Sequence, residues 1–242
     1  IDDKEQYDKE YGSSDDYKEW DNPYYGFPQM IRFAFNPNES ARKLIEQLKE
    51  QGKSAQLNEL FRPQSISKDN SAEKKHCYFI HKKEVLDLLQ VIDGSAEDEN
   101  LLGFLNYDKL KEGKMCRHMV FVLPFCASCD AMDKLLKDNK NQFINLNEYE
   151  IVNISGVENN FPSTESIKLH IESLEKQGKK SITLTVNRML TGSTVKYWDT
   201  MLFFKDVSSP QEYDQAIFRL QNQYVTKYKD ESGDEIKYNM KP

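Results

Sequence analysis

Cys126-Ala127-Ser128-Cys129 places two thiols three residues apart, after an apolar run and at the start of an amphipathic stretch. A thiol at a helix N-terminus sits at the positive end of the helix dipole, which favours the thiolate, and the spacing suits a disulfide. The pair reads as a candidate site for a thioredoxin-like thiol–disulfide oxidoreductase. It reads equally as two small, buryable residues at a strand-to-helix turn. Zinc would need His76, Cys77, His81 or Cys116 to complete a set with Cys126 and Cys129. Those residues lack paired ligand spacing, so no metal site is expected. His118 and His170 read as strand-edge and helix-surface residues.

Two polar constellations follow in the second half. The first is Thr185-Val186-Asn187-Arg188-Met189-Leu190-Thr191-Gly192-Ser193-Thr194, directly after a strand. Gly192 allows close backbone approach, and the hydroxyls can donate to phosphates. The second is a helix over 213–222. There Gln215, Arg219 and Asn222 recur at i, i+4 and i+7, with Tyr213, Ala216, Ile217 and Leu220 on the apolar side. An arginine projecting from a rigid helix can meet a phosphate. An ordinary solvated helix face would look the same.

The elements that must position these residues are strands alternating with helices. His118–Leu123, Glu150–Ile154, Ser181–Val186 and Thr200–Phe204 are the expected strands. Helices between them carry Ala131, Met132, Leu135 and Leu136, then Ile167, Ile171 and Leu174 after a start at Ser163-Thr164. Ser209-Pro210 opens another helix, with Glu212 expected to complete a capping box. Such alternation implies a parallel sheet with helices on both faces, whose ligands bind beyond the carboxyl ends of the strands. Upstream, Met30–Phe35 has strand character. Ala41, Leu44, Ile45 and Leu48, and again Val85, Leu88, Leu89 and Ile92, follow helical spacing. The tail reads as a hairpin around Ser232-Gly233-Asp234. The expected organisation is a flexible lead-in at 1–22, an accessory α/β region at 23–114, a parallel α/β lobe at 115–224 and a hairpin at 225–242.

The 242 residues carry 33 Lys+Arg against 40 Asp+Glu, a formal charge of −7. That balance argues against a broad basic surface for duplex DNA, but leaves room for nucleic acid in a local cleft. With 38% hydrophobic residues the chain is foldable, and no apolar run is long enough to span a membrane. Four cysteines are too few for a disulfide scaffold and, with no signal-peptide h-region at the start, favour a cytoplasmic setting. The chain begins Ile1-Asp2-Asp3 without Met, which reads as the middle of a longer polypeptide.

The order of these pieces resembles a known family. Met119–Gln223 is similar to the second RecA-like lobe of a superfamily 2, DEAD/DEAH-like helicase. The nearest branch is the helicase subunits of restriction systems and related phage or plasmid helicase–nuclease proteins. Met119-Val120-Phe121-Val122-Leu123-Pro124 resembles the motif IV strand. Thr185 through Thr194, followed by Trp198–Phe204, resembles motif V and the strand after it. Ser208-Ser209-Pro210 with Tyr213, Gln215, Ala216, Phe218, Arg219, Gln221 and Asn222 resembles motif VI. Phe218 stands where the common motif has glycine, and Asn222 where it has a second arginine. Thr194 stands where many relatives carry aspartate.

The resemblance implies a three-layer RecA-like sheet contributing half of an ATP–Mg cleft and half of a DNA track. The other half would be a first lobe, since the chain contains no phosphate loop or acidic box. It implies Arg219 as an arginine finger and Gln215 as its positioner. Thr185, Arg188, Thr191, Gly192, Thr194 and Asn222 would couple nucleotide to DNA backbone. Nuclease or methyltransferase domains are the implied further partners. An alternative is a non-catalytic interaction module in which residues 1–115 bind a partner.

Overall fold

The computed structural model describes residues 6–7, 9–10, 18–26, 46, 50, 56–64, 78–95, 116–157, 161–190, 194–207 and 209–241. Four parallel strands form its centre: β1 (His118–Val122), β2 (Tyr149–Asn153), β3 (Lys180–Thr185) and β4 (Thr200–Phe203), in the order β2-β3-β1-β4. The helices are α1 (Leu57–Leu60), α2 (Lys82–Asp93), α3 (Cys126–Asp138), α4 (Thr164–Lys176) and α5 (Pro210–Ile217). An antiparallel hairpin follows, β5 (Val225–Lys229) with β6 (Glu235–Asn239).

β1 is buried throughout because both of its faces are covered. Met119 and Phe121 join α2 and α3 in one core, while Val120 and Val122 join α4 and Ala216 of α5 in the other. This alternation is the period-2 geometry of a strand. The result is the three-layer, RecA-like arrangement expected, with a small hairpin after it. The crossover β1–α3–β2 steps past the position of β3, and β2–α4–β3 steps back on the opposite face. Reversing direction and face together keeps the two crossovers of one hand, as packing on a twisted sheet requires.

The connection from β3 to β4 contains no helix among the described residues. Met189, Leu190, Val195 and Trp198 are buried instead and fill the space a crossover helix would occupy. Trp198 is fully buried, and its indole N–H donates to Thr183 Oγ1 at 3.3 Å.

The helix starts differ in chemistry. Ser163 and Ser166 form a reciprocal capping box at α4. Pro210 occupies the first turn of α5 as expected, but the capping box expected there does not form. Glu212 reaches instead to Lys205 Nζ, which also donates to Asn187 Oδ1 at 2.7 Å. A charged partner outcompetes the weak return bond of a cap.

The upstream segments join the same core. Phe61 is fully buried, with its ring 4.8 Å from Phe204, and its carbonyl accepts the Ser128 hydroxyl at 2.7 Å. Asp206, after β4, accepts the Leu57 and Asn58 backbone N–H groups at the start of α1. Asp93, fully buried at the end of α2, accepts N–H groups from Ile144, Asn145 and Leu146 at 2.7, 2.9 and 2.6 Å.

Near the start, Tyr25 lies against the hairpin. Its hydroxyl donates to Lys237 O and accepts from Asn239 N, both at 3.0 Å, while Gln223 Nε2 donates to Tyr25 O. Gly26 has φ +81°, and a Cβ there would fall 2.4 Å from Val225 Cγ2, so the contact admits only glycine. The strand expected at 30–35 and Ala41, Leu44, Ile45 and Leu48 lie outside the described residues.

Candidate functional site

Thr185 ends β3, buried, and its hydroxyl donates to Arg188 O at 2.9 Å. Ser155 Oγ, just past β2, lies 3.1 Å from the same hydroxyl oxygen. Since the single Thr185 proton is used on Arg188 O, Ser155 is the donor of that second bond. Arg188 then spends its two terminal nitrogens on backbone carbonyls, NH1 on Ile154 O at 3.0 Å and NH2 on Phe161 O at 3.1 Å. One guanidinium therefore fixes the loop after β2 to the loop after β3. Thr194 is exposed, and Thr191 and Gly192 lie outside the described residues.

The helix expected over 213–222 is shorter. α5 ends at Ile217, so Gln215, Arg219 and Asn222 do not share one helical face. The backbone tightens there to i+3 bonds: Arg219 N to Ala216 O, Leu220 N to Ile217 O and Gln221 N to Phe218 O. Two carbonyls of this turn find side-chain donors. Asn222 Nδ2 donates to Arg219 O at 2.7 Å and Lys241 Nζ to Leu220 O at 3.0 Å. Gln215 is exposed on α5. Arg219 points its Nε to Leu190 O at 3.1 Å, so the loop after β3 and the turn after α5 meet through this residue. Among the described residues no carboxylate pairs with Arg219.

Sequence reasoning missed a third group at the carboxyl ends of the strands. Asp130, at the start of the second turn of α3, accepts from Asn153 Nδ2 and Val157 N, both at 2.9 Å. Asn153 Oδ1 in turn accepts Gly156 N at 2.8 Å. A Cβ on Gly156 would sit 2.1 Å from Asp130 Oδ1, so this close approach needs glycine. The Asn153-Ile154-Ser155-Gly156 spacing was the available signal for the turn. Lys205 and its bond to Asn187 were also missed.

The two thiols differ. Cys126 is exposed at the first position of α3, and Cys129 is fully buried one turn on. Burial, then the neighbouring Cys126 and Asp130, push the Cys129 thiol far above its usual range. A maleimide added to the native protein should label Cys126 and leave Cys129 and the buried Cys116 unlabelled, as read by peptide mass spectrometry. Rapid native labelling of Cys129 would contradict this. All strands of the central sheet are parallel, and the described residues contain no cis peptide bond, so the bond preceding Pro162 is trans. Cys116 lies at the start of β1, at the opposite end of the strand from Cys126. The described residues contain no cluster of three or more potential metal ligands; His76 and Cys77 lie outside them.

The amino ends of the strands carry a separate ionic knot. His118 is not at a strand edge but fully enclosed at the head of central β1. It lies 2.8 Å from Ser181 Oγ and 2.9 Å from Glu175 Oε2. Arg117 donates to the same carboxylate at 2.7 Å, and the Tyr224 hydroxyl to its other oxygen at 3.1 Å. Burial raises the Glu175 pKa, but the bonds from His118 and Arg117 outweigh it and hold the carboxyl down at about 2. A carboxyl depressed in the folded state contributes stability above its unfolded pKa, near 4.3. That contribution should fade as pH falls from about 4 toward 2, and a thermal-melt pH series should lose the acid slope in Glu175→Gln. His170, as expected, is exposed on α4, its ring 5.3 Å from Phe161.

These features define a three-layer parallel α/β lobe whose strand-end loops gather hydroxyls and an arginine without a paired acid. No protein-family profile matches the chain. It is 29% identical over 170 residues to a Mycoplasma pneumoniae protein provisionally described as the C-terminus of a type II restriction enzyme and methyltransferase. The match covers 69% of this chain and 22% of that relative. The chain thus spans under a quarter of that relative's length. No described helix is long and apolar enough to cross a membrane.

Proposed function

We propose that the chain is the second motor lobe of an ATP-dependent DNA translocase or helicase working within a restriction–modification enzyme. The observation that carries this reading is the bond from Arg219 Nε to Leu190 O. Two segments picked out separately in the sequence, as motif V and motif VI, meet at that atom pair. An arginine anchored through Nε on a neutral carbonyl keeps its full charge for an anion.

ATP with Mg, shared with a first lobe, would supply γ-phosphoryl transfer as the source of free energy. Arg219 fits the role of neutralising charge on that phosphate when the lobes close, while the orienting role of Gln215 rests on the resemblance alone. Thr185 and Arg188 would transmit closure, because they lock the loops after β2 and β3 into one body. Those loops, with Thr191, Gly192 and Thr194, would follow the DNA backbone through hydroxyl and amide contacts. Asn222 would hold the Arg219 carbonyl and so the turn itself. Nuclease and methyltransferase domains would be the further partners, in the cytoplasm where restriction acts.

ATP hydrolysis tests the reading. The chain alone should hydrolyse none. Joined to a first lobe bearing a phosphate loop and an acidic box, it should hydrolyse ATP faster with DNA present. Arg219-dependent hydrolysis by the isolated chain, or hydrolysis by the joined protein that DNA leaves unchanged, overturns it.

A further inference from the structure

Lys241 is 3% exposed, an unusual place for an ammonium group. Its Nζ donates to Leu220 O at 3.0 Å, the carbonyl immediately after Arg219. Its backbone N–H donates to Asn239 Oδ1 at 3.1 Å, and the preceding Met240 N–H to Tyr224 O at 2.9 Å. The tail is thereby stitched to the segment leaving the Arg219 turn on two sides. Beyond Leu220 O, the charged group acting on this amine is Asp199, in the segment leading into β4.

We propose that Lys241 is a positioning residue for Arg219: its buried ammonium fixes the turn after α5 so that the guanidinium stays on Leu190 O. The proposal rests on the function given above for its meaning in catalysis, though its geometry stands apart from that function. The Leu220 carbonyl lies in the turn beyond α5, outside any helix ladder, and a carbonyl partly buried there needs a donor from elsewhere in the chain. Asn222 takes the Arg219 carbonyl from within the turn, and Lys241 takes the next one from twenty-one residues away. The hairpin that delivers Lys241 is itself held by Tyr25. The aim of Arg219 thus depends on the tail that carries Lys241.

Nuclear magnetic resonance of the purified chain, without nucleotide, tests this through the Arg219 Nε–Hε signal, identified by its loss in Arg219→Lys. In Lys241→Met, which keeps the apolar stem and removes the charge, solvent exchange of that proton should rise roughly tenfold, the worth of a charged hydrogen bond. The β1 and β3 amides should keep their protection. Unchanged exchange at Arg219 overturns the proposal. Equal loss of protection across β1 and β3 also overturns it, because Lys241 would then support the lobe as a whole. Asn239→Ala keeps the ammonium and removes only the acceptor of the Lys241 N–H, so it serves if the first variant does not fold. A smaller rise at Arg219 is expected there, and no rise overturns the proposal. Because no nucleotide is involved, a failed hydrolysis test leaves this result intact. A successful one with an unmoved Arg219 signal sinks the positioning role alone.

Discussion

Arg219→Ala should lower DNA-stimulated ATP hydrolysis by the two-lobe protein by about 10³-fold, the usual worth of an arginine finger. The thermal midpoint of the chain should hardly move. The two expectations come from the same geometry. The side chain is partly exposed and gives one bond to the protein, Nε to Leu190 O, so its loss costs the fold about 1 kcal/mol. Its charge is not balanced by an acid among the described residues, so its main work is available to a ligand. Arg219→Lys should recover little, because a single ammonium cannot hold Leu190 O and meet a phosphate together. A rate that survives Arg219→Ala, measured at saturating ATP and DNA, would remove this residue from the chemistry.

Asp93→Ala should destabilise the lobe by about 3–5 kcal/mol, the summed cost of leaving several backbone donors unpaired. Three backbone donors, from Ile144, Asn145 and Leu146, converge on its carboxylate, and Asn145 Nδ2 returns to the Asp93 carbonyl. Alanine would leave all three donors without their acceptor, the Leu146 N–H in a buried position. Asp93→Asn keeps one acceptor oxygen and should cost about half as much. Urea unfolding would read both as shifts in midpoint at constant slope. A shift equivalent to under about 1 kcal/mol for the alanine variant would mean that water reaches those donors.

The contrast between these two residues bears on what a sequence discloses. The sheet and its helices were legible because period-2 and period-3.6 apolar patterns are local. Val85, Leu89 and Ile92, for example, all turn up in the core they pattern for. Arg219 and Thr185 were singled out because residue type, order and spacing carried the resemblance. Asp93 was not, since nothing near it in the chain signals that residues 144–146 will present their N–H groups. The end of α5 at Ile217 was hidden for the same reason. Tyr213 to Asn222 has a good helical pattern, but Lys241 supplies one of the bonds that favour the tighter turn. The expected cap at Ser209 failed because Lys205, held beside Asn187, offers Glu212 a stronger partner. Phe61 gave little sign either: Leu57, Leu60 and Phe61 keep helical spacing for a single turn only, yet Phe61 packs against Phe204.

The order of the strands has a consequence for assembly. Among the described residues β2 and β4 are the outer strands, five and four residues long. Short edges template poorly, and β2 is flanked by the ion pairs Glu150–Lys179 and Glu148–Lys180. Such pairs add little stability at an exposed edge, but they make it a poor dock for an incoming strand. A neighbouring domain would not attach by extending this sheet. It would have to face the strand ends, where a gap can open and close without breaking a single ladder hydrogen bond.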